Sequence, residues 1–435
     1  MRELEAFHTG HAGSDILSIV LYILQGPLLV YLLHAYRSSS EVHGVNAAGY
    51  RAVLQELLLL AAPLLLGLTI LSAYLREVFV LLLSMSLLHY FVEKRRAEGG
   101  GKVGKAATEP GTEVLSHFKG VNTLVTCMAI LAVDFHIFPR GFAKTEEYGT
   151  ALMDVGTGLF VASSALSSHF ARAAPAPAPA RSGLQRTAAV FLLGVGRLCA
   201  VRLLGYHEHV SEYGVHWNFF LSLGCVWVLA GTVHGLARTP ARSALAGLLL
   251  AGVHQWALLQ KGSIAFMFAA PREGFVAANR EGLASVSGYL SVYLVGEGLT
   301  CWASHCLPAQ RTQRLAAASV ACWLVWGGCS TCLQETSRRL SNAASGALTL
   351  AVAHLLLLGF HLACVAAPPA PQGPAPVRLL VAMREHSLWV FLAANVMTGA
   401  VNSSLHTLQQ GPAAALAILG GYVCVLSALA CSLKK

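Results

Sequence analysis

Apolar windows of roughly 20 residues recur from one end of this chain to the other, the length a helix needs to cross a hydrocarbon core about 30 Å thick. Their centres fall near Ile16, Leu58, Leu81, Val125, Leu159, Leu193, Leu221, Leu249, Leu290, Ala318, Ala351, Val390 and Ile418, about 13 in all. With 55% of 435 residues hydrophobic and 12% charged, the chain is too apolar for a water-soluble domain to hide the excess in its core. The windows are continuous and rich in Leu, Ala and Gly, without the short alternating segments of a transmembrane barrel. The expected fold is therefore all-α, a polytopic integral membrane helical bundle forming one multi-span domain over residues 1–435.

The segment Met1–Ser14 carries His and acidic residues and the first apolar stretch runs on to Leu33, so this span is expected to stay as an anchor. Sorting the connecting segments by Lys and Arg puts about 19 basic residues on the side holding Lys94, Arg95, Arg96, Lys102, Lys105, Lys434 and Lys435, against about 9 on the other. The richer side is expected to be cytoplasmic. The net charge of +9 then reflects topology and attraction to anionic membrane lipids, and no nucleic-acid partner is expected.

Several other signals read as scaffold. The Pro/Ala-rich stretches 173–180 and 368–376 read as extended tethers within the domain. GGGKVGK around Gly99 lacks the preceding strand and the hydroxyl residue after Lys that a phosphate-cradling loop needs. The eleven cysteines are scattered mostly through apolar spans and set no disulfide framework; Cys329 and Cys332 read as buried thiols on one helix face.

The residues that scaffold does not explain gather on the side poor in Lys and Arg. They are DFHIFPRGFAKTEEYGTALMD (Asp134–Asp154), YHEHVSEYGVHWNFF from Tyr206, ANREGLASVSGY from Ala278 and SRRLSN from Ser337. Charges beside span ends are costly unless they are paired or used, so this composition points to a head-group site.

Together with NVMTGAVNSS from Asn395, these motifs, in this order, resemble the inositol acyltransferases of GPI-anchor biosynthesis, the PIG-W type. The resemblance covers most of the chain. It implies a multi-pass enzyme of the endoplasmic reticulum membrane. Such an enzyme moves a fatty acyl group, usually palmitoyl, from acyl-CoA to an inositol hydroxyl of glucosaminyl-phosphatidylinositol. It implies acyl-CoA as co-substrate and no permanently bound cofactor. The chain departs from the family pattern at Gly141, where a second Arg would follow Arg140, at His136 in place of Pro and at His207 in place of Gln. Asp134 and Lys144 keep their separation.

Acyl transfer to an alcohol needs a base for the hydroxyl proton and a donor for the developing oxyanion. Asp134, at a span end, is the candidate base. Lys144, after the turn at Pro139 and Gly141, is the candidate donor to the oxyanion or the departing thiolate. A purely structural Asp134–Lys144 ion pair is the competing reading. No GxSxG elbow is present, so direct transfer is expected over an acyl-enzyme.

Arg140, Arg280, Arg338 and Arg339 are phosphate candidates, because a guanidinium fork matches that group. His209, Glu212, His216, Asn218, Asn279 and Asn402 are candidates for inositol and glucosamine contacts. The HEH run lacks HExxH spacing, so no metal is expected there. Thr145 is expected to cap the following helix, and Asp154 to answer Arg197 or Arg202. Two alternatives remain. One is a membrane-bound O-acyltransferase arrangement with His254 as base, and the other a lipid transporter or scramblase, which an internal repeat would favour and none is found.

Overall fold

A computed structural model describes residues 7, 10–42, 50–98, 111–172, 180–204, 210–368 and 376–433. His209 and nearly all of both Pro/Ala-rich stretches lie outside them. The described residues are helices joined by loops, with no β-sheet among them.

Eight helices among the described residues are long and apolar enough to cross a membrane: Ile16–Ser39, Arg51–Leu68, Ser72–Arg96, Thr112–Ala132, Phe219–Ala237, Pro308–Cys332, Ala343–Ala366 and Pro412–Ser432. The other five windows also form helices: Leu152–Arg172, Ala180–Leu204, Pro240–Leu258, Arg280–Ser304 and Ser387–Ser404. They do not meet the same apolar standard, because Gly, Ser, Thr and charged residues dilute them. All thirteen windows are thus helical, but the expected count of spans is met for eight.

The chain divides into two compact units. The first holds Met1–Lys144, Ala151–Met153 and Leu356–Lys435. In it Gly120 packs on the backbone of Leu380, where an added Cβ would stand 2.5 Å from the Leu380 carbonyl oxygen. Only a glycine admits so close an approach. Near it the fully buried Glu56 carboxylate accepts from the Arg378 amide at 2.9 Å and the Leu379 amide, and pairs with Arg37. An acid from a distant helix thus caps the start of the Arg378–Glu385 helix, whose free N–H groups attract negative charge.

The second unit holds Thr145–Thr150 and Asp154–Leu355. Its centre is the Arg280–Ser304 helix, more than half of whose residues are buried. Small residues let neighbours come close: a Cβ on Gly298 would meet that of Ala244 at 2.5 Å, and one on Gly247 would meet Leu294 at 2.9 Å. Apolar lipid offers no hydrophobic drive between helices, so such close packing and buried polar pairs carry their association. His234 bonds Glu297 at 2.7 Å on this helix.

Candidate functional site

In the first unit the Gly111–Ala132 helix unwinds into successive turns, with the Asp134 amide on Leu131 O at 3.2 Å and the Phe138 amide on Phe135 O at 3.2 Å. Pro139 stops regular helix, and Arg140–Phe142 form one 3₁₀ turn. Asp134 therefore sits just past a helix end, 4% exposed, and its Oδ2 accepts from Asn402 Nδ2 at 2.8 Å. Asn402 lies near the end of the Ser387–Ser404 helix.

Arg140 folds back over the unwound turns. Its Nη2 donates to the carbonyls of Val133 at 3.0 Å, Phe135 at 3.1 Å and Phe138 at 3.0 Å, and its guanidinium lies 4.0 Å from the centre of the Phe7 ring. Burial lowers its pKa to about 10 while the Asp134 carboxylate acts to raise it, so Arg140 is a cation at neutral pH. Its Nη1 is buried without a hydrogen-bond partner among the described residues, leaving the N–H groups of that nitrogen for a ligand. Gly141 fits against Gly13 and Ser14, where a Cβ would approach to 3.1–3.2 Å, consistent with the absence of a second arginine. Lys144 is half-buried at the end of the same loop.

In the second unit the SRRLSN loop is the centre of a charged network. Asp154 accepts from Arg338 Nε at 2.8 Å, from Thr145 Oγ1 at 2.8 Å and from the Thr145 amide at 3.2–3.3 Å. Two expectations are corrected here. Among the described residues the partner of Asp154 is Arg338 rather than Arg197, and the Arg202 side chain lies outside the described residues. Thr145 does not cap the next helix, which begins only at Leu152 after Gly149 takes a left-handed φ of 122°; it braces Asp154 instead. Burial opposes charge on Arg338, but the Asp154 and Glu212 carboxylates hold its pKa above the usual guanidinium range. A cleft beside this pair, with Thr336 and Thr349 in its wall, has room for about one water molecule.

Glu281, with no exposed surface, gathers the other arginines. Arg272 grips it with two bonds of 2.6 and 2.9 Å, Arg339 donates at 2.9 Å and Arg280 Nε stands 3.6 Å away. Arg280 also ties down the carbonyls of Met267 at 2.9 Å and Ala270 at 2.7 Å. Three guanidinium groups around one carboxylate leave a surplus of positive charge, the electrostatics of an anion site. Arg272 and Glu281 were absent from the sequence reading: a loop Arg and a first-turn acid look ordinary in one dimension.

The sequence-derived polar residues divide. Asn218 caps the Phe219–Ala237 helix, accepting from Phe220 N at 3.1 Å and Leu221 N at 3.3 Å and donating to Gly194 O at 2.9 Å. Asn279 accepts from the His216 amide at 2.7 Å and donates to Phe275 O at 2.8 Å. Both amides are spent on backbone, and their evident work is to shape the loops carrying Glu212 and His216. Asn395 donates to Phe391 O at 2.7 Å on its own helix. His254 has both ring nitrogens engaged, on Leu340 O at 3.0 Å and Ser287 Oγ at 2.8 Å, as a bracing residue would.

The helices and their buried charge pairs define a polytopic helical membrane protein. The GWT1 family model matches residues 2–433, and the chain belongs to that family. It is 34% identical over 78% of its length to GPI-anchored wall transfer protein 1 of Gibberella zeae, covering 75% of that protein. It is 31% identical over 99% to the protein of the same name in Aspergillus fumigatus, covering 96% of it. The phosphatidylinositol-glycan biosynthesis class W protein of Dictyostelium discoideum is 28% identical over 73% of this chain, with 72% of that protein covered.

Proposed function

We propose that this protein acts in GPI-anchor biosynthesis in the endoplasmic reticulum membrane, moving a fatty acyl group, palmitoyl by preference, from acyl-CoA to an inositol hydroxyl of glucosaminyl-phosphatidylinositol. Family membership and the class W name of the Dictyostelium relative support the pathway. The observation that carries the chemistry is the buried Asp134 carboxylate, oriented by Asn402 at a helix end beside a cationic Arg140.

In this reading one Asp134 oxygen takes the inositol hydroxyl proton as the oxygen attacks the thioester carbonyl. Lys144 donates to the tetrahedral oxyanion or to sulfur as the carbon–sulfur bond breaks. The acyl ester and CoA are the products, and the proton on Asp134 returns to solvent or to the thiolate. A base supplies roughly 10²- to 10⁴-fold, so positioning of the two lipids provides the remainder. Arg140, through its unused Nη1, is the proposed phosphate contact of the first unit, and the surplus charge around Glu281 is a candidate anion site of the second. Glu212, His216 and His209 are proposed for sugar hydroxyls.

The test is transfer of labelled palmitoyl from palmitoyl-CoA to glucosaminyl-phosphatidylinositol by the purified protein. Activity that survives Asp134→Ala together with Lys144→Ala rejects the assignment. Loss confined to His254→Ala would favour the O-acyltransferase alternative, although the two hydrogen bonds on that ring count against it.

A further inference from the structure

The Gly111–Ala132 helix carries a second polar cluster at the end opposite Asp134, roughly 25–30 Å away at 1.5 Å per residue. Glu113 and His117 are four residues apart and so share one helix face. His34, on the Gln25–Val42 helix, packs its ring against that of His117 with centroids 5.5 Å apart. His117 Nε2 and Glu113 Oε1 are 4.0 Å apart, and one ligand atom from each of the three residues lies within 4.8 Å of the others.

This proximity has no adequate internal explanation. His34 is 5% exposed and His117 1%, yet His34 Nε2 and Glu113 Oε1 have no hydrogen-bond partner among the described residues. A buried polar atom left unbonded costs about 1–3 kcal/mol, so two within one cluster favour a ligand that satisfies both. Nor do they neutralise a neighbouring cation: Arg37, near His34, is already paired with Glu56.

We propose that His34, Glu113 and His117 form a binding site for one divalent transition metal of the Zn²⁺ class. Two neutral imidazoles and a carboxylate are a donor set such an ion accepts, with water completing a tetrahedron. Bonds of about 2.0–2.2 Å require the three donors to draw together by about an ångström, within reach of side-chain rotation. His117 is already oriented. Its Nδ1 faces Cys364 Sγ at 3.6 Å, which fixes the other nitrogen toward Glu113 and makes the sulfur an outer partner, not a ligand. The ion would staple the Gln25–Val42 helix to the Gly111–Ala132 helix, far from the acyl-transfer residues. This is a departure from the sequence reading, which expected no metal.

The test uses the full chain, purified without a polyhistidine tag and held in nanodiscs. The protein is equilibrated with buffered Zn²⁺ and desalted, the retained metal is counted by mass spectrometry, and Co²⁺ is used as an optical stand-in. The wild type is expected to keep one more ion per chain than the H34A/H117A double variant and to show the intense visible bands of four-coordinate Co²⁺ without sulfur charge transfer. Glu113→Gln should weaken retention, and Cys364→Ser should leave the bands in place while lowering affinity roughly 10- to 100-fold. Equal retention by wild type and double variant means surface histidines only and overturns the site. Weak, octahedral-type absorption from the wild type overturns it even if no variant folds.

Discussion

Asn402 reaches across 268 residues of sequence to donate its side-chain amide to Asp134 Oδ2 at 2.8 Å. The bond holds the carboxylate in one orientation at the helix end. Asn402→Ala should therefore lower kcat for acyl transfer by roughly 10- to 100-fold, on the scale of about 1.5–3 kcal/mol for a bond to a charged group, with little change in KM. Asn402→Asp, which sets two carboxylates together, should do worse. An unchanged kcat for Asn402→Ala would remove the positioning role.

Asp134→Asn keeps shape and hydrogen bonding but not basicity. It should cost at least about 10²-fold in kcat, near the lower bound for a lost general base. Lys144→Ala should cost a similar factor and Lys144→Arg less, because a charged donor is retained. Labelled-palmitoyl transfer under saturating substrate reads all three.

Arg140 uses its planar fork to gather three carbonyls of the unwound helix end. A lysine offers a point charge instead of a fork. Arg140→Lys should therefore retain folded protein yet lower kcat/KM about tenfold or more, as the Asp134 turn loosens. Size-exclusion profiles matching wild type alongside that loss would support the reading.

The elements that could be read in one dimension are those whose physics is local. A run of apolar residues makes a helix wherever it falls, so all thirteen windows were legible, although Gly and Ser blur which of them a bilayer would accept. Asp134 and Arg140 stood out because charge beside a span end is costly. The partners did not. Arg338 lies 184 residues from Asp154, and nothing in spacing prefers it over Arg197 or Arg202. Thr145 reads as a helix cap because Thr-Glu-Glu is a common start, and the left-handed Gly149 that delays the helix is visible only in three dimensions. Glu281 reads as an ordinary first-turn acid until Arg272 and Arg339 are folded onto it.

Two glycines make a matched pair that separates packing from propensity. At Gly120 an added methyl would meet the Leu380 backbone at 2.5 Å, whereas at Gly196 it would meet nothing within 4 Å. Gly120→Ala should destabilise by about 1–3 kcal/mol through overpacking, and Gly196→Ala should be neutral or stabilising by up to about 1 kcal/mol. Thermal-shift midpoints in one detergent read the difference, and equal midpoints would show that the Leu380 contact yields.

The arginine cluster gives the sharpest stability prediction. Removing the Glu281 charge leaves Arg272, Arg280 and Arg339 facing one another in a buried setting, and breaking a buried pair from one side costs about 3–5 kcal/mol. Glu281→Gln should therefore reduce the yield of monodisperse protein and lower its thermal midpoint more than Arg272→Gln, which removes one of three cations and leaves the carboxylate paired with Arg339. If the surplus charge also binds a phosphate, phosphatidylinositol in the assay buffer should restore part of the Glu281→Gln midpoint, because a bound anion replaces the missing carboxylate. Equal midpoints for the two variants would mean that the cations are screened by something other than Glu281, and the anion-site reading of the cluster would fail with them.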